Sequence, residues 1–454
     1  MAARLMLVAL LALCGCKRGA SPAPEELSLQ LFGDPAELDA YREMIAAFQE
    51  KNPGVRVKLI PVGKQKEFMA KLTTAFSGGI PPDVFLVNYR RYGQLAERGV
   101  LEPLGEHLGR GLEVKLEDLY PQPVEAFRYR GQLQCLPQNV SSLVVYFNRA
   151  LFEARGVPLP KEGWTWADLL AAGQALTDRS APNPSDHVHG IGFEPTLVRL
   201  APFVWQAGGE LVDDPDHPTG FRLESPAGIS ALKFILELRR VHQVTPSLEE
   251  ATALDLEARF IRGKLGMLFQ SRRFTPTARA ASGLDWDVAP LPVGRQAATL
   301  LHADAYCVAR DSAHKDAAYR FISFALGPDG AERIARSGRT VPSLRSVAES
   351  AAFLDPTQRP ASSRVFLDAL PQLRRLPNTA TWNEIEMRSD PVVEEWYYGP
   401  DRTGLGMAAS GAGDGGVRTF PGSAKAAMRT GDELTLLPRE LTEAVRGLWS
   451  PQTP

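Results

Sequence analysis

From Leu27 onward the apolar residues switch between two spacings. Leu27, Leu29 and Leu31 alternate with polar neighbours, which predicts a half-buried strand. Asp34-Pro35-Ala36-Glu37 then combines an N-cap Asp, a Pro suited to the first helical position and a Glu placed for a capping box. Leu38, Tyr41, Ile45 and Phe48 follow at helical spacing until Asn52-Pro53-Gly54 stops the helix. Val55, Val57 and Leu59 alternate again. Phe68, Leu72, Ala75 and Phe76 mark a second helix, Asp83 to Val87 a buried strand, and Leu95 to Gly99 the end of a third helix. Strands and helices in strict alternation predict an α/β sheet. A second unit of the same rhythm opens at Leu143 to Phe147. It continues through a helix capped by Thr165, another over Ala227 to Leu238, and a helix end with a strand over Arg259 to Phe269. A strand over Asp304 to Ala309 and a helix over Ala317 to Leu326 suggest a return to the first body. Leu441, Val445 and Leu448 share one face of a last helix, Leu437 to Trp449.

What precedes Leu27 changes the picture. Arg4 and the apolar run Leu5 to Leu13 have the make-up of a secretory signal, and the run is far short of the ~20 residues that span a bilayer. Leu13-Cys14-Gly15-Cys16 resembles a bacterial lipobox, which implies cleavage before Cys16 and a lipid anchor on it. Lys17 to Glu26 would be the spacer. Only Cys135 and Cys307 then remain. An oxidising compartment permits their pairing, and two separate buried thiols fit the sequence as well. The 454 residues, 44% hydrophobic and 23% charged, suit a globular body of two or three domains. A net charge of −2 argues against nucleic acid as a partner. Gly404 to Gly416 reads as a loop within an insertion over 402–429, and its Gly411-x-Gly413-x-x-Gly416 follows no strand, so no nucleotide cofactor is implied.

Several phrases, in order, resemble the family 1 extracellular solute-binding proteins, the receptors of ABC importers typified by the maltose-binding protein. They are Phe48-Gln49-Glu50-Lys51-Asn52-Pro53-Gly54-Val55, Pro82-Asp83-Val84-Phe85, Gln94 to Leu104, Phe147-Asn148-Arg149-Ala150-Leu151-Phe152, Trp164-Thr165-Trp166-Ala167-Asp168-Leu169 and Gln206-Ala207-Gly208-Gly209. The resemblance implies a type II-like periplasmic binding fold, two α/β lobes joined by crossing strands, with a ligand cleft that closes between them. Crossings are expected near Gln138 to Ser142, Leu301 to Tyr306 and Ala352 to Pro360. The expected division is a signal over 1–15, the lipidated Cys and linker over 16–26, a first lobe of 27–139 with about 304–355, and a second of about 143–300 with about 360–454. The implied partners are a small solute, most simply a sugar, the permease subunits and the membrane under the anchor, with the body a monomer.

Ligands of open α/β sheets bind outside the carboxyl ends of the strands. That rule and the resemblance together nominate Asp34, Asn88, Tyr89 and Arg91 in the first lobe, and Asn139 and Asp304, with His302, at the crossings. Pro377-Asn378-Thr379-Ala380-Thr381-Trp382 resembles the family segment that carries a sugar-stacking tryptophan. Trp382 is therefore expected to stack on a pyranose, with Glu384 or Glu386 as acceptor and Trp205 as a second aromatic. Arg272 and Arg273 depart from the family's small residues. Facing Arg90 and Arg91, they would suit an anionic solute such as a sugar phosphate or sugar acid. No nucleophile elbow, His-Glu-x-x-His or P-loop supports an enzyme. Asp186-His187-Val188-His189 and Asp213-Asp214-Pro215-Asp216-His217 hold ligand-type side chains in turn-rich segments, and no metal is expected. Docking to a membrane signalling receptor instead of a permease is left open.

Overall fold

The computed structural model describes residues 24–33, 35–63, 65–399 and 430–449. The opening alternation forms strand β1 (Glu25–Phe32), with Leu27, Leu29 and Leu31 fully buried. Helix α1 (Pro35–Lys51) buries Tyr41, Met44, Ile45 and Phe48 at the predicted spacing. Strand β2 (Val55–Val62), helix α2 (Gln65–Ser77), strand β3 (Val84–Asn88) and helix α3 (Tyr89–Glu97) follow. β1 pairs in parallel with both β2 and β3. All five residues of β3 are buried, as expected for a strand covered on both faces. The sheet is completed by the late strand Asp304–Val308, antiparallel to β3, and by Leu136–Pro137 beside it.

A second sheet is built around Val144–Asn148, flanked by antiparallel Trp286–Ala289 and Leu265–Gln270, with His189–Gly192 parallel at the edge. Its helices bury the second core, in which Trp166 stacks on Phe234 and Phe203 meets Phe269. Thr165 and Asp168 form the full capping box that starts the Trp166–Leu176 helix. Leu434, Leu437, Leu441 and Val445 of the last helical segment are also buried in this core.

The sheets are joined where the chain crosses. Ser141–Ser142 pairs antiparallel with Thr299–His302, and two residues away Leu136–Pro137 pairs with Asp304–Val308. Cys135, just before Leu136, and Cys307, within Asp304–Val308, are joined by a disulfide, 4.6 Å apart at their Cα atoms. The crossing expected over Ala352 to Pro360 lies elsewhere. Phe353, Phe366 and Leu370 still pack in the first core, and the chain meets the crossing sheet at Leu373–Arg374, parallel to Thr299–Leu300. An apolar segment says that it is buried, not in which of two cores. Among the described residues no helix is long and apolar enough to cross a membrane. Cys16 and the 402–429 insertion lie outside the described residues.

Candidate ligand cleft

The carboxyl ends of β3 and of the second-sheet strands His189–Gly192 and Leu265–Gln270 converge on a cavity of about 260 Å³. Its lining includes Asn88, Arg90 and Arg91 after β3, Glu194, Thr196 and Arg199 after the second sheet's edge strand, and Gln270, Ser271 and Arg273 after its neighbour. The crossing strands add Asn139, Ser141, His302 and Asp304. Among the described residues that line it, Phe32 is the one aromatic ring besides the imidazole of His302.

One carboxylate organises the floor. Glu386 accepts two bonds from Arg90 Nη1, at 2.8 and 2.7 Å, and pairs with Arg91 Nη2 at 2.9 Å. Trp382 Nε1 donates to the same carboxylate at 2.7 Å. Burial alone would lower the Arg90 guanidinium, but the charge of Glu386 outweighs it and holds Arg90 above its ordinary value. The remaining arginines are matched as well. Arg199 pairs with Glu194 at 3.2 Å, Arg273 with Glu257, and Arg339 with Glu37.

Asp304 is held differently. Asn88 Nδ2 donates to its Oδ1 at 3.0 Å and Asn139 Nδ2 to its Oδ2 at 3.1 Å. A carboxylate has about four acceptor positions, so this leaves capacity toward the cavity. Beside it, burial and then the positive field of Arg90, Arg199 and Arg273 push the His302 imidazole well below its ordinary range. It is therefore neutral at pH 7, and its buried Nε2 has no hydrogen-bond partner among the described residues. The cavity opens past Arg91, Glu194, Thr196 and Asp390 into a larger groove of about 920 Å³ that also carries Met69, Leu248, Met387 and Tyr398.

Asn88, Arg91, Asn139 and Asp304 thus share one cavity, while five other nominees do not line it. Tyr89 is fully buried, and its hydroxyl accepts a bond from Leu376 N at 3.0 Å, which ties α3 to the third crossing. Trp205 packs in the second core under the Arg374 guanidinium. Arg272 is 1% exposed; it donates to Gly338 O at 2.8 Å and Ser363 Oγ at 3.0 Å, over the ring of Phe353. Trp382 is 0% exposed because it begins the stripe Trp382, Ile385, Ser389, Val393, Trp396 on the buried face of the Trp382–Tyr398 helix. It supports Glu386 rather than meeting solute. Glu384 points to solvent and pairs with Arg388 one turn on. Asp34 lies outside the described residues.

The profile of the bacterial extracellular solute-binding proteins matches residues 33–332, about two thirds of the chain. The chain belongs to this family. A binding protein of Brucella abortus (strain 2308) is 23% identical over 362 residues, 79% of this chain and 85% of that protein. The maltotriose-binding protein of Pyrococcus abyssi is 24% identical over 321 residues, 69% of this chain and 65% of its own length. Among solved structures, an ABC substrate-binding protein of Listeria monocytogenes in complex with cycloalternan superposes with a TM-score of 0.78. It is 24% identical, with 93% of this chain and 99% of that one covered. The two-lobed fold is shared.

For a solute-binding protein of this kind, the strand-end rule nominates the lining of the second lobe as readily as that of the first. Glu194 and Thr196 lie two and four residues past His189–Gly192, and Ser271 directly follows Leu265–Gln270. The signal that finds them is the end of each apolar run. Asp390 has no such signal, since it reaches the cavity only through the placement of its helix.

Proposed function

We propose that this solute-binding protein captures an uncharged, polyhydroxylated solute, a sugar or one end of an oligosaccharide, in the 260 Å³ cavity as its lobes close. It then delivers the solute to the permease subunits of an ABC importer, without catalysing a reaction. The observation that carries this reading is the pairing of all five lining arginines with carboxylates. An anionic solute would have to compete with those partners. A neutral one finds spare acceptor positions on Asp304 and the open Nε2 of His302 for its hydroxyls, beside Asn88, Asn139 and Gln270, whose amides hold the site in shape. Cycloalternan and maltotriose, named for two of the relatives, are carbohydrates, which agrees. The larger groove leaves room for further sugar units against Met69, Met387 and Tyr398.

The exported, lipid-tethered placement through Cys16 belongs to the same reading, as do the division into lobes and the monomeric state. In cells, wild type should take label from a fatty-acid precursor and Cys16→Ser should not. A thermal-shift screen of the Cys16→Ser chain with neutral sugars, oligosaccharides and sugar phosphates tests the ligand class, because a ligand that binds only the native form raises the midpoint. Neutral sugars should raise it, and calorimetry should find their affinity indifferent to salt. A sugar phosphate that binds more tightly, and weakens as salt rises, would replace this reading with the anionic one.

A further inference from the structure

Away from the cleft, two segments bring metal-ligand side chains together. His187 precedes the second sheet's edge strand and His189 begins it. Glu250 lies in the Leu248–Ala253 helix. The ring nitrogens and carboxylate oxygen of these three lie within 4.8 Å of one another. We propose that His187, His189 and Glu250 bind a divalent transition-metal ion of the zinc class, clipping the edge of the second sheet to a helix that lines the outer groove.

The hydrogen bonds carry the argument. His187 Nε2 lies 3.0 Å from the carbonyl oxygen of Ala181, which can only accept, so that nitrogen bears hydrogen. The neutral ring then turns its Nδ1 lone pair toward Glu250 Oε1, 2.8 Å away and also an acceptor. Two lone pairs at that distance need a positive charge between them, either a proton or a metal ion. A ligating histidine ordinarily donates its other N–H to a backbone carbonyl or carboxylate, as His187 does to Ala181. His189 Nε2 approaches the same Glu250 oxygen at 3.1 Å. Glu250 Oε2 is already turned away, accepting from Ser247 N at 2.8 Å in a capping box, so Oε1 alone faces both rings.

Two imidazoles and a carboxylate form the three-ligand set of open zinc sites, with water in the fourth position. Tetrahedral bonds of roughly 2.0–2.1 Å put ligand atoms about 3.4 Å apart, so the carboxylate must withdraw by a few tenths of an ångström and the two ring nitrogens, within 4.8 Å of each other, must draw together around the ion. The edge at His187, 16% exposed, gives the ion access. Arg259 adds a nearby positive charge, but its guanidinium donates to the backbone oxygens of Glu250 and His187. It braces both ligand-bearing segments instead of occupying the ligand side. Lys264 is turned to Asp186. Leu248, Ala251 and Thr252, on the same short helix as Glu250, line the outer groove, so an ion here would steady one wall of it.

The test uses the full mature chain without a tag, stripped with chelator and titrated with Zn²⁺ alone at pH 7.5 by calorimetry, with Co²⁺ absorption as a second readout. Wild type should take up one equivalent, and Co²⁺ should show the intense visible bands of a tetrahedral site. Glu250→Gln keeps the capping acceptor and His187→Ala removes a half-buried ring; both should weaken uptake at least about tenfold while circular dichroism shows them folded. If either unfolds, the other decides. His217→Ala, in the exposed Asp214–His217 turn, should leave uptake unchanged. No stoichiometric uptake by wild type would overturn the proposal and assign the charge between His187 and Glu250 to a proton. Uptake retained within threefold in the folded ligand variants, or lost in His217→Ala, would overturn it too.

Discussion

Replacing Glu386 by Gln tests whether one buried carboxylate holds the cleft floor together. The amide oxygen can still accept from Trp382 Nε1, but the amide nitrogen then replaces the oxygen that takes Arg90 and Arg91, so the change removes the charge and one acceptor together. Arg90 and Arg91 have side chains only 9% and 17% exposed, and Glu386 is 2% exposed. Solvent therefore does little to screen them. Two guanidinium groups would be left facing a neutral partner in a desolvated site, and removing one member of a buried pair costs about 3–5 kcal/mol. Denaturant titration reads this as a lower midpoint at unchanged slope. Glu384→Gln is the internal control. It sits two residues away, but its partner Arg388 and Glu384 itself are both 49% exposed. Loss of that pair should cost no more than about 0.5 kcal/mol. Similar losses in the two variants, both under about 1 kcal/mol, would refute the claim that Glu386 is desolvated and structurally required.

Other outcomes follow from the same geometry. Burial first, then the charges of Glu386 and Glu194, raise the Asp390 carboxyl to about 6, against the bond it accepts from Leu197 N. A carboxyl raised on folding stabilises the protein fully below its unfolded value near 4, and that stability is lost as pH rises through 6. Asp390→Asn should flatten the fall of the melting temperature between pH 4 and 6, and an unchanged curve would assign that fall to another group. The Cys135–Cys307 bond closes a 172-residue separation, so reduction, or Cys135→Ser with Cys307→Ser, should cost roughly 2–5 kcal/mol in denaturant titration. A Cβ on Gly93 would collide with the Asn378 carbonyl, so Gly93→Ala should force α3 away from the third crossing. Overpacking of this kind costs about 1–3 kcal/mol, and a melting temperature equal to wild type would mean that the two backbones separate freely.

Periodicity alone determined much of this protein. The alternation of Leu27, Leu29 and Leu31, the spacing of Tyr41, Ile45 and Phe48, and the Thr165 cap each name their element, because strand and helix geometry act over a few residues. The return of Asp304–Val308 to the first sheet was legible in outline for the same reason. Which side of an element meets solute was not legible, because that depends on where two lobes and three crossings bring remote residues. Trp382 and Glu386 lie one helical turn apart; the first is closed inside the second core and the second is drawn to Arg90 and Arg91, 296 and 295 positions earlier in the chain. Arg272 and Arg273 are adjacent, yet one is sealed between Gly338 and Ser363 while the other reaches the cavity. Neighbours in a turn leave in different directions, and only the packed neighbourhood sets which direction is buried. The disulfide follows the same logic. Two cysteines were present in the sequence, but the pairing of Leu136–Pro137 with Asp304–Val308 is what set their Cα atoms 4.6 Å apart.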